Sequence, residues 1–252
     1  MSLFNFSKDI LDDNITKNNL GDKICIIETV GRETTYNELL TLVKQMCSYL
    51  MSKDVRYEER IAIALSDRRE FIILFLAITR IGAVAVPLNP DNTILMEELV
   101  YDMKARLLFT DRPLTFTNTA NSTNANTIAT EIINILNENV INTISSLPLS
   151  EYIAPTIEDS SCFWLSTSGT SGKPKFITHR HLSPILIIDI FNVYKTSDRV
   201  YCVSPLFFTY GKSLVYKSYY LYIMITHYVT YKPIITHHTI YLYYYYTILY
   251  NT

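Results

Sequence analysis

The residues best suited to chemistry lie in one short stretch, STSGTSGKPK, which runs from Ser166 to Lys175. The stretch holds two of the chain's six glycines, Gly169 and Gly172. Glycine readily adopts the positive φ angles that let successive backbone N–H groups point at one anion. The hydroxyl side chains around the glycines add hydrogen-bond donors, and Lys173 and Lys175 add positive charge. The stretch therefore predicts a site for a polyphosphate.

Two other interpretations of this stretch fit it less well. A phosphate loop of the form GxxxxGK[ST] needs a glycine five positions before Gly172 and a hydroxyl residue after the lysine. This chain has Thr167 and Pro174 at those positions, so the hydroxyl that would bind Mg²⁺ is missing. A flexible Ser/Gly linker does not usually follow directly on an apolar strand such as CFWL and end in KPK.

The elements that must position this stretch alternate between strand and helix. KICIIET, RIAIAL, AVAVPL and RLLFT read as short apolar strands, and helical patterns lie between them. Thr35 and Glu38 form a capping box that predicts a helix start, and Gly82 predicts the end of the helix EFIILFLAITRIG. Strands that are apolar throughout predict an α/β fold of layered, mostly parallel sheets with helices on both faces.

The composition divides the chain into four parts. Residues 1–112 form a first α/β part of the large domain, and residues 113–160 an Asn/Thr-rich loop with a short helix around EIINILNENVINTI. Residues 161–215 form the α/β segment with the phosphate loop. The Tyr-rich tail, residues 216–252, has no Asp, Glu or Gly and no strand or helix periodicity. The tail is interpreted as aberrant, an out-of-frame or decayed segment, with an aromatic surface for a partner or membrane as the alternative.

The bulk composition excludes several classes of protein. A chain of 252 residues with 48% hydrophobic and 18% charged residues suits a globular protein. A net charge of −2 gives no general affinity for nucleic acid. The four scattered cysteines are expected to be reduced. No signal sequence and no apolar run long enough to span a membrane is recognised, so a cytoplasmic location is expected. His179 and His181 are expected to pack or to start a helix rather than to bind a metal.

The stretch STSGTSGKPK closely resembles the phosphate loop of the AMP-forming acyl-CoA synthetase, adenylation-domain and luciferase superfamily, whose pattern is [ST]SG[TS][TS]GxPK followed by Gly. TTYNELL, the segment ending in GAVAVPLNP, and SPLFFTYGKSL resemble further motifs of that superfamily. The resemblance covers about residues 5–215. Within the superfamily, FWLSTSGTSGKPK, THRH and FFTYG look most like benzoate-CoA ligases and related aryl-CoA ligases.

The resemblance implies a reaction and a set of binding residues. A carboxylic acid would attack the α-phosphate of MgATP to give an acyl-adenylate and pyrophosphate, and the thiol of coenzyme A would then release AMP. The implied cofactors are ATP, Mg²⁺ and coenzyme A, and no catalytic or metal-binding residue is assigned in this chain. The implied phosphate-binding residues are Thr167, Ser168, Gly169, Thr170, Ser171, Gly172 and Lys175. The implied acid pocket consists of the gate residue Phe208 with Phe207, Tyr210 and Gly211.

The sequence departs from the superfamily pattern in two ways. Phe176 stands where the pattern has glycine, and its side chain is expected to hinder closure of the loop. The superfamily's adenine motif, ribose-binding Asp, hinge and catalytic Lys have no counterpart here. The chain is therefore expected to be an N-terminal fragment of such a ligase and inactive by itself, with a complementing half left open. The alternatives are a non-enzymatic nucleotide-binding remnant or interaction protein, and an adenylation domain that loads a carrier protein.

Overall fold

The computed structural model describes residues 2–28, 30–116, 130–167, 174–190, 199–202, 205–208 and 222–225. Ten strands lie within these ranges: β1 (Ile24–Glu28), β2 (Glu33–Thr35), β3 (Arg60–Ala64), β4 (Val84–Pro87), β5 (Leu107–Thr110), β6 (Glu131–Asn134), β7 (Ser161–Thr167), β8 (Lys175–Arg180), β9 (Arg199–Cys202) and β10 (Tyr222–Ile225). The helices are α1 (Phe6–Lys8), a π-helical turn (Asp9–Asp13), α2 (Asn14–Asn18), α3 (Tyr36–Ser52), α4 (Arg69–Arg80), α5 (Thr93–Asp102), α6 (Glu138–Ser146) and α7 (Ser183–Ile190).

The strands form two sheets that are mostly parallel. The larger sheet has the order β6-β5-β3-β4-β7-β8, and its pairs are parallel except for the antiparallel hairpin β7–β8. The smaller sheet has the order β2-β1-β10-β9, with only the β1–β2 pair antiparallel. Helices follow several of the strands, as parallel pairing requires. The predicted α/β fold class is confirmed.

Helices cover the larger sheet on both faces, but unequally. Alternate side chains of β3 go to opposite faces: Ile61 and Ile63 enter a large hydrophobic cluster with α3, α4 and the N-terminal helices, and Ala62 and Ala64 enter a smaller cluster with α5. We call the side of the large cluster the first face and the side of the small cluster the second face. The predicted covering of both faces is thus confirmed.

The two predicted helix boundaries have the expected local chemistry. At the start of α3, the Glu38 N–H donates to Thr35 Oγ1 at 3.2 Å and the Thr35 N–H donates to Glu38 Oε2 at 2.7 Å, so the capping box is complete. After α4, Gly82 has a φ of +77°. A side chain at Gly82 would meet the Tyr57 ring at 2.7 Å, so both backbone angle and space require glycine.

Buried polar contacts fasten the N-terminal segment, residues 2–18, to the first face. The Asn5 side-chain amide donates to the Thr79 and Arg80 carbonyls, both at 3.2 Å. Arg80 is fully buried and binds the two Asp12 carboxylate oxygens at 2.6 and 2.9 Å. The Phe6 N–H donates to Nδ1 of His181 at 3.1 Å. These bonds join parts of the chain that are far apart in sequence.

Two predictions of local structure need correction. A short helix was expected around EIINILNENVINTI, and α6 is that helix, but the residues before it form β6, which pairs in parallel with β5 and was not expected. Ile133 and Ile135 alternate into the first face, and the open side of β5 supplies the pairing partner that the sequence pattern does not reveal.

The second correction concerns the tail. No regular element was expected beyond Val215, yet β10 pairs with β1 on one side and β9 on the other. The remainder of the tail, and residues 117–129 of the Asn/Thr-rich segment, lie outside the described residues. Among the helices that the structure describes, none has the length and apolar character needed to cross a bilayer.

Candidate functional site

The candidate site lies where the parallel strands of the larger sheet end. Strands β3, β4 and β7 are parallel neighbours, so their carboxyl ends share one edge. The phosphate-loop stretch continues directly from β7, and Asp67 follows closely on β3. In open parallel sheets this edge is the usual place for ligands, because the loops that follow the strands gather there.

The ends of the phosphate-loop stretch are placed opposite each other by the β7–β8 hairpin. Thr167 pairs with Lys175, and the Thr167 hydroxyl donates to the Lys175 carbonyl at 3.3 Å. Thr167 is half-buried and Lys175 is exposed, without an ion-pair partner among the described residues. Alternation along β7 puts Thr167 on the same face as Phe163 and Leu165, which is the first face.

The predicted phosphate site has five central residues between Thr167 and Lys175. They are Ser168, Gly169, Thr170, Ser171 and Gly172, and they lie outside the described residues. Their role in holding phosphate stays a prediction. What the structure places is the frame of the loop, its two strand ends at the carboxyl edge of the sheet.

The predicted acid-pocket motif is brought to the same face. Leu206 is buried in the first-face cluster that contains Phe163 and Leu165 of β7, and Phe207 packs against that cluster. The rings of Phe207 and Phe208 lie 4.4 Å apart, and Phe208 is 55% exposed. An exposed aromatic ring beside a half-buried one is a surface that can accept a flat apolar ligand. Tyr210 and Gly211 lie outside the described residues.

Asp67 holds the predicted acid-pocket motif to the edge of the sheet, and sequence reasoning did not single it out. Its Oδ1 accepts a 2.7 Å hydrogen bond from the Leu206 N–H, across 139 positions of sequence. Asp67 stands between β3 and α4, in the charged run SDRRE. The sequence signal that could have pointed to Asp67 is its place in a charged run directly after a buried strand, at the edge of the sheet where ligands usually bind.

A paired network of charges surrounds the ends of β3 and β5. Asp111 accepts from the Ser66 N–H at 2.9 Å and pairs with Arg68 at 3.4 Å, while Arg112 donates to the Ser66 hydroxyl at 3.0 Å. Burial acts to raise the pKa of Asp111, but the hydrogen bonds from Ser66 and Arg112 outweigh it, and the pKa is lowered. The network is satisfied internally, so it fixes the loops at this edge.

Phe176, the departure from the glycine of the superfamily pattern, packs on the second face. Its ring centre lies 5.7 Å from that of Trp164, and both rings contact the small hydrophobic cluster. Its phenyl ring is therefore used in packing at the base of the hairpin. Whether it also hinders loop closure, as expected from the sequence, stays a prediction because residues 168–173 are outside the description.

The two histidines near the loop have the packing roles that were expected. His179 stacks on Phe163 with ring centres 4.6 Å apart and planes 2° from parallel. His181 is fully buried, and this burial lowers its pKa from 6.5 to about 4. No group of three or more His, Cys, Asp or Glu residues that could hold a metal occurs in the part of the chain described here.

The fold and the site define the class of protein. A mostly parallel α/β sheet carries, at one edge and on one face, a Ser/Thr/Gly/Lys loop frame and an aromatic motif. A family model described as AMP-binding enzyme matches residues 13–224. The chain belongs to this family, which confirms the resemblance seen in the sequence.

The relatives of this chain include ligases of aromatic acids. The chain is 30% identical over 216 residues to a 4-hydroxybenzoate–CoA/benzoate–CoA ligase of Rhodopseudomonas palustris, covering 82% of this chain and 40% of that protein. Its fold is similar to the anthranilate CoA ligase AuaEII in complex with anthranoyl-AMP, with a TM-score of 0.74, 22% identity, and coverage of 90% of this chain and 44% of that one. A benzoate CoA ligase from Burkholderia xenovorans LB400 gives a TM-score of 0.74 at 22% identity, with coverage of 89% and 45%.

The coverage values have a direct consequence for function. The chain spans 40% of the length of the curated relative from Rhodopseudomonas palustris and 36% of a 3-hydroxybenzoate–CoA ligase of Aromatoleum. The family and the fold therefore apply to this chain, whereas the reaction of those whole proteins comes to it only as a proposal.

Proposed function

We propose that this chain supplies the ATP-phosphate loop and part of the acid pocket of an adenylate-forming ligase that activates an aromatic carboxylic acid and passes it to coenzyme A. The observation that carries the proposal is the Asp67–Leu206 hydrogen bond together with the shared first-face cluster. These contacts bring the acid-pocket motif to the edge where the phosphate loop begins. An acid and the phosphates of ATP must meet if an acyl-adenylate is to form.

The loop frame fits the phosphate groups of ATP. The exposed Lys175 offers a charge that no described carboxylate neutralises, and Thr167 offers a hydroxyl. Ser168, Gly169, Thr170, Ser171 and Gly172 are proposed to add backbone N–H groups and hydroxyls around the β- and γ-phosphates. ATP, when bound, supplies the α-phosphate to which the acid becomes attached. The loop would stabilise the negative charge that develops on the leaving pyrophosphate.

The acid pocket is proposed to hold a flat ring. Phe207 and Phe208 present adjacent aromatic faces, and Tyr210 and the small Gly211 are assigned to the same pocket from the sequence. Aromatic rings pack on flat ligands in offset or edge-on geometry. The relatives include a 4-hydroxybenzoate/benzoate ligase and a 3-hydroxybenzoate ligase, which supports an aromatic acid as the substrate.

Mg²⁺ and coenzyme A complete the set of proposed cofactors. Mg²⁺ is proposed only as the companion of the ATP phosphates, since the described residues include no cluster of three or more His, Cys, Asp or Glu side chains that could hold a metal ion. Coenzyme A is proposed as the acceptor, and a carrier protein is the competing acceptor. The buried thiols of Cys25, Cys47 and Cys162 are free, which supports a reducing compartment such as the cytoplasm.

We expect this chain to bind MgATP without catalysing the reaction. The adenine, ribose and catalytic-lysine motifs implied by the resemblance have no counterpart in its 252 residues. We therefore expect the purified chain to bind MgATP and pyrophosphate, and to give no ATP–pyrophosphate exchange with benzoate, 4-hydroxybenzoate or decanoate. Equilibrium dialysis measures the binding, and Lys175→Ala should weaken it because the variant removes a phosphate-facing charge.

The matched control is Lys17→Ala, which removes an exposed lysine from the N-terminal segment. Equal effects of the two lysine variants would mean that binding is non-specific and would contradict the proposal. Absence of binding by a chain shown to be folded would also contradict it. Exchange with any acid would show that turnover needs nothing beyond this chain, and adding coenzyme A or a carrier protein would then identify the acceptor.

A further inference from the structure

A pair of aromatic rings packs on the second face at the base of the phosphate-loop hairpin. Phe176 of β8 pairs directly with Ser166 of β7, which makes it a diagonal neighbour of Trp164. The ring centres lie 5.7 Å apart with their planes tilted by 40°. Diagonal cross-strand neighbours are within reach of aromatic side chains, and rings at this separation attract each other beyond the area they bury.

Arg60 ties this pair to the centre of the sheet. Its guanidinium carbon lies 5.9 Å from the centre of the Trp164 ring, at the distance of a cation–π contact. The guanidinium is held in turn by three backbone carbonyls, those of Met103 at 2.8 Å and of Glu58 and Lys104 at 3.3 Å. We call Arg60, Trp164 and Phe176 the clamp, since they connect β3 with the hairpin.

Among the described residues, two pairs of rings cross from β7 to β8. The Trp164–Phe176 pair of the clamp is the one nearer to the loop. Phe176 directly follows Lys175, the residue at which the loop returns to the sheet. The ring stack on the first face, between Phe163 and His179, lies further from that end. The position of Lys175 relative to Thr167 therefore depends on Phe176 more than on His179.

We propose that Trp164 and Phe176 are positioning residues of the phosphate loop, because their packed rings hold the strand ends Thr167 and Lys175 in the arrangement that receives phosphate. This inference rests on the proposed function. A loop whose ends are already fixed loses less binding free energy to ordering when the ligand arrives. The glycine of the superfamily pattern could make no such contact, so this chain holds the loop with a ring where the pattern has none.

The test uses the full chain and four variants. Phe176→Ala removes the ring, Phe176→Gly installs the residue of the superfamily pattern, and Phe176→Tyr keeps the ring. Ile177→Ala is the matched control, because Ile177 is the next residue of β8 and is 50% exposed. Equilibrium dialysis gives the Kd for MgATP and for pyrophosphate, and hydrogen exchange reports the opening of β7 and β8. Trp164 is the chain's only tryptophan, so its emission reports the clamp directly.

We expect Phe176→Ala to raise both Kd values about threefold to tenfold, the range that corresponds to the loss of one aromatic pair. Phe176→Gly should raise them at least as much, because it also frees the backbone. Phe176→Tyr and Ile177→Ala should stay within about twofold of the wild type on the same scale. The change in Trp164 emission on adding MgATP should persist in the Tyr variant and shrink in the Ala and Gly variants.

The outcomes separate this inference from the proposed function. If the wild type binds and Phe176→Ala binds equally well, the inference is overturned while the proposed function stands. If Ile177→Ala weakens binding as much, the effect is general loosening of the strand and the inference is again overturned. If the folded wild type binds neither ligand, the proposed function fails. Hydrogen exchange then decides the clamp: faster hairpin exchange in Phe176→Ala alone supports it, and unchanged exchange refutes it.

Discussion

The two faces of the larger sheet are built differently. The first face is covered by α3, α4 and the N-terminal helices, and it holds the buried His181 and an ion pair between the fully buried Arg80 and the partly exposed Asp12. The second face is covered by α5, and several of its outer side chains, including Trp164 and Phe176, are only half-buried. The strand residues themselves reflect this difference, since β3 sends isoleucines to the first face and alanines to the second.

Because of this difference, changes on the first face should affect the stability of the whole fold, whereas changes on the second face should affect mainly the candidate site. The first face joins segments from residue 6 to residue 206 in one cluster, so a change there acts on the whole fold. The second face contacts the hairpin near its loop through a few partly exposed rings. We therefore expect changes of the partly exposed side chains on that face, such as Phe176, to cost less stability than changes on the first face.

Breaking the ion pair of the first face should have the largest effect. In Asp12→Ala, Arg80 would remain buried without a counter-charge, which costs about 3–5 kcal/mol in other proteins. Because Asp12 itself is 23% exposed, we expect the lower part of that range, measured as the loss in free energy of unfolding in urea. Arg56→Ala breaks a fully exposed ion pair and should leave stability unchanged. Equal effects of the two variants would contradict the special role of the first face.

Acid should weaken the first face through His181. Burial lowers its pKa from 6.5, the value in the unfolded chain, to about 4 in the folded chain. Between these two pH values the unfolded chain therefore binds a proton at His181 that the folded chain does not bind. The free energy of unfolding should therefore fall between pH 6.5 and about 4, by on the order of 3 kcal/mol in total. Urea unfolding at pH 7.5, 6.0, 5.0 and 4.5, about the range that these values define, measures the loss.

His181→Gln is the control for the acid effect. Glutamine can still accept the hydrogen bond from the Phe6 N–H, but it does not titrate. The variant should lose most of the pH dependence above pH 4.5, about where carboxylates begin to contribute. An unchanged pH dependence would assign the acid sensitivity to other groups.

The smallest expected effect is a difference in stability cost between two leucine-to-alanine variants, one on each face, and it compares the two faces directly. Leu39 of α3 is fully buried on the first face, and Leu99 of α5 is buried on the second. Leucine-to-alanine changes in cores cost about 2–5 kcal/mol, and less where neighbours can close the cavity. Since α5 is the one described helix that packs on the second face, we expect Leu99→Ala to cost about 1 kcal/mol less than Leu39→Ala. A larger loss for Leu99→Ala would reverse the comparison.

Much of the fold was predictable because its signals are local. The capping box at Thr35 and Glu38, the end of α4 at Gly82 and the strand before the phosphate loop all appear as expected. The short helix expected around EIINILNENVINTI is present as α6, whereas strand β6 at the start of that segment was missed because its pairing with β5 is not visible in the local pattern. Strand β10 was missed as well, because its parallel pairing with β1 and β9 joins residues that are not neighbours in sequence.

The candidate site was predictable in its parts and not in its assembly. The Ser/Thr/Gly stretch and the FFTYG motif can be recognised in the sequence, and both carried the family resemblance. The residues that bring them together, Asp67 and the first-face cluster, have no sequence signal linking them to either motif. A hydrogen bond across 139 positions depends on the folded path of the chain.

The amino-acid sequence by itself determined the family and the α/β class, because these depend on local spacing of residue types, and the same spacing predicted the chemistry of the loop. Only the tertiary structure decided which side chains meet: Leu206 with Asp67, Phe176 with Trp164, and His181 with the backbone of Phe6. The physical reason is that burial and hydrogen-bond geometry are properties of surfaces brought together from distant segments. A residue such as Phe176 therefore has a meaning in the fold that its departure from a sequence pattern does not reveal.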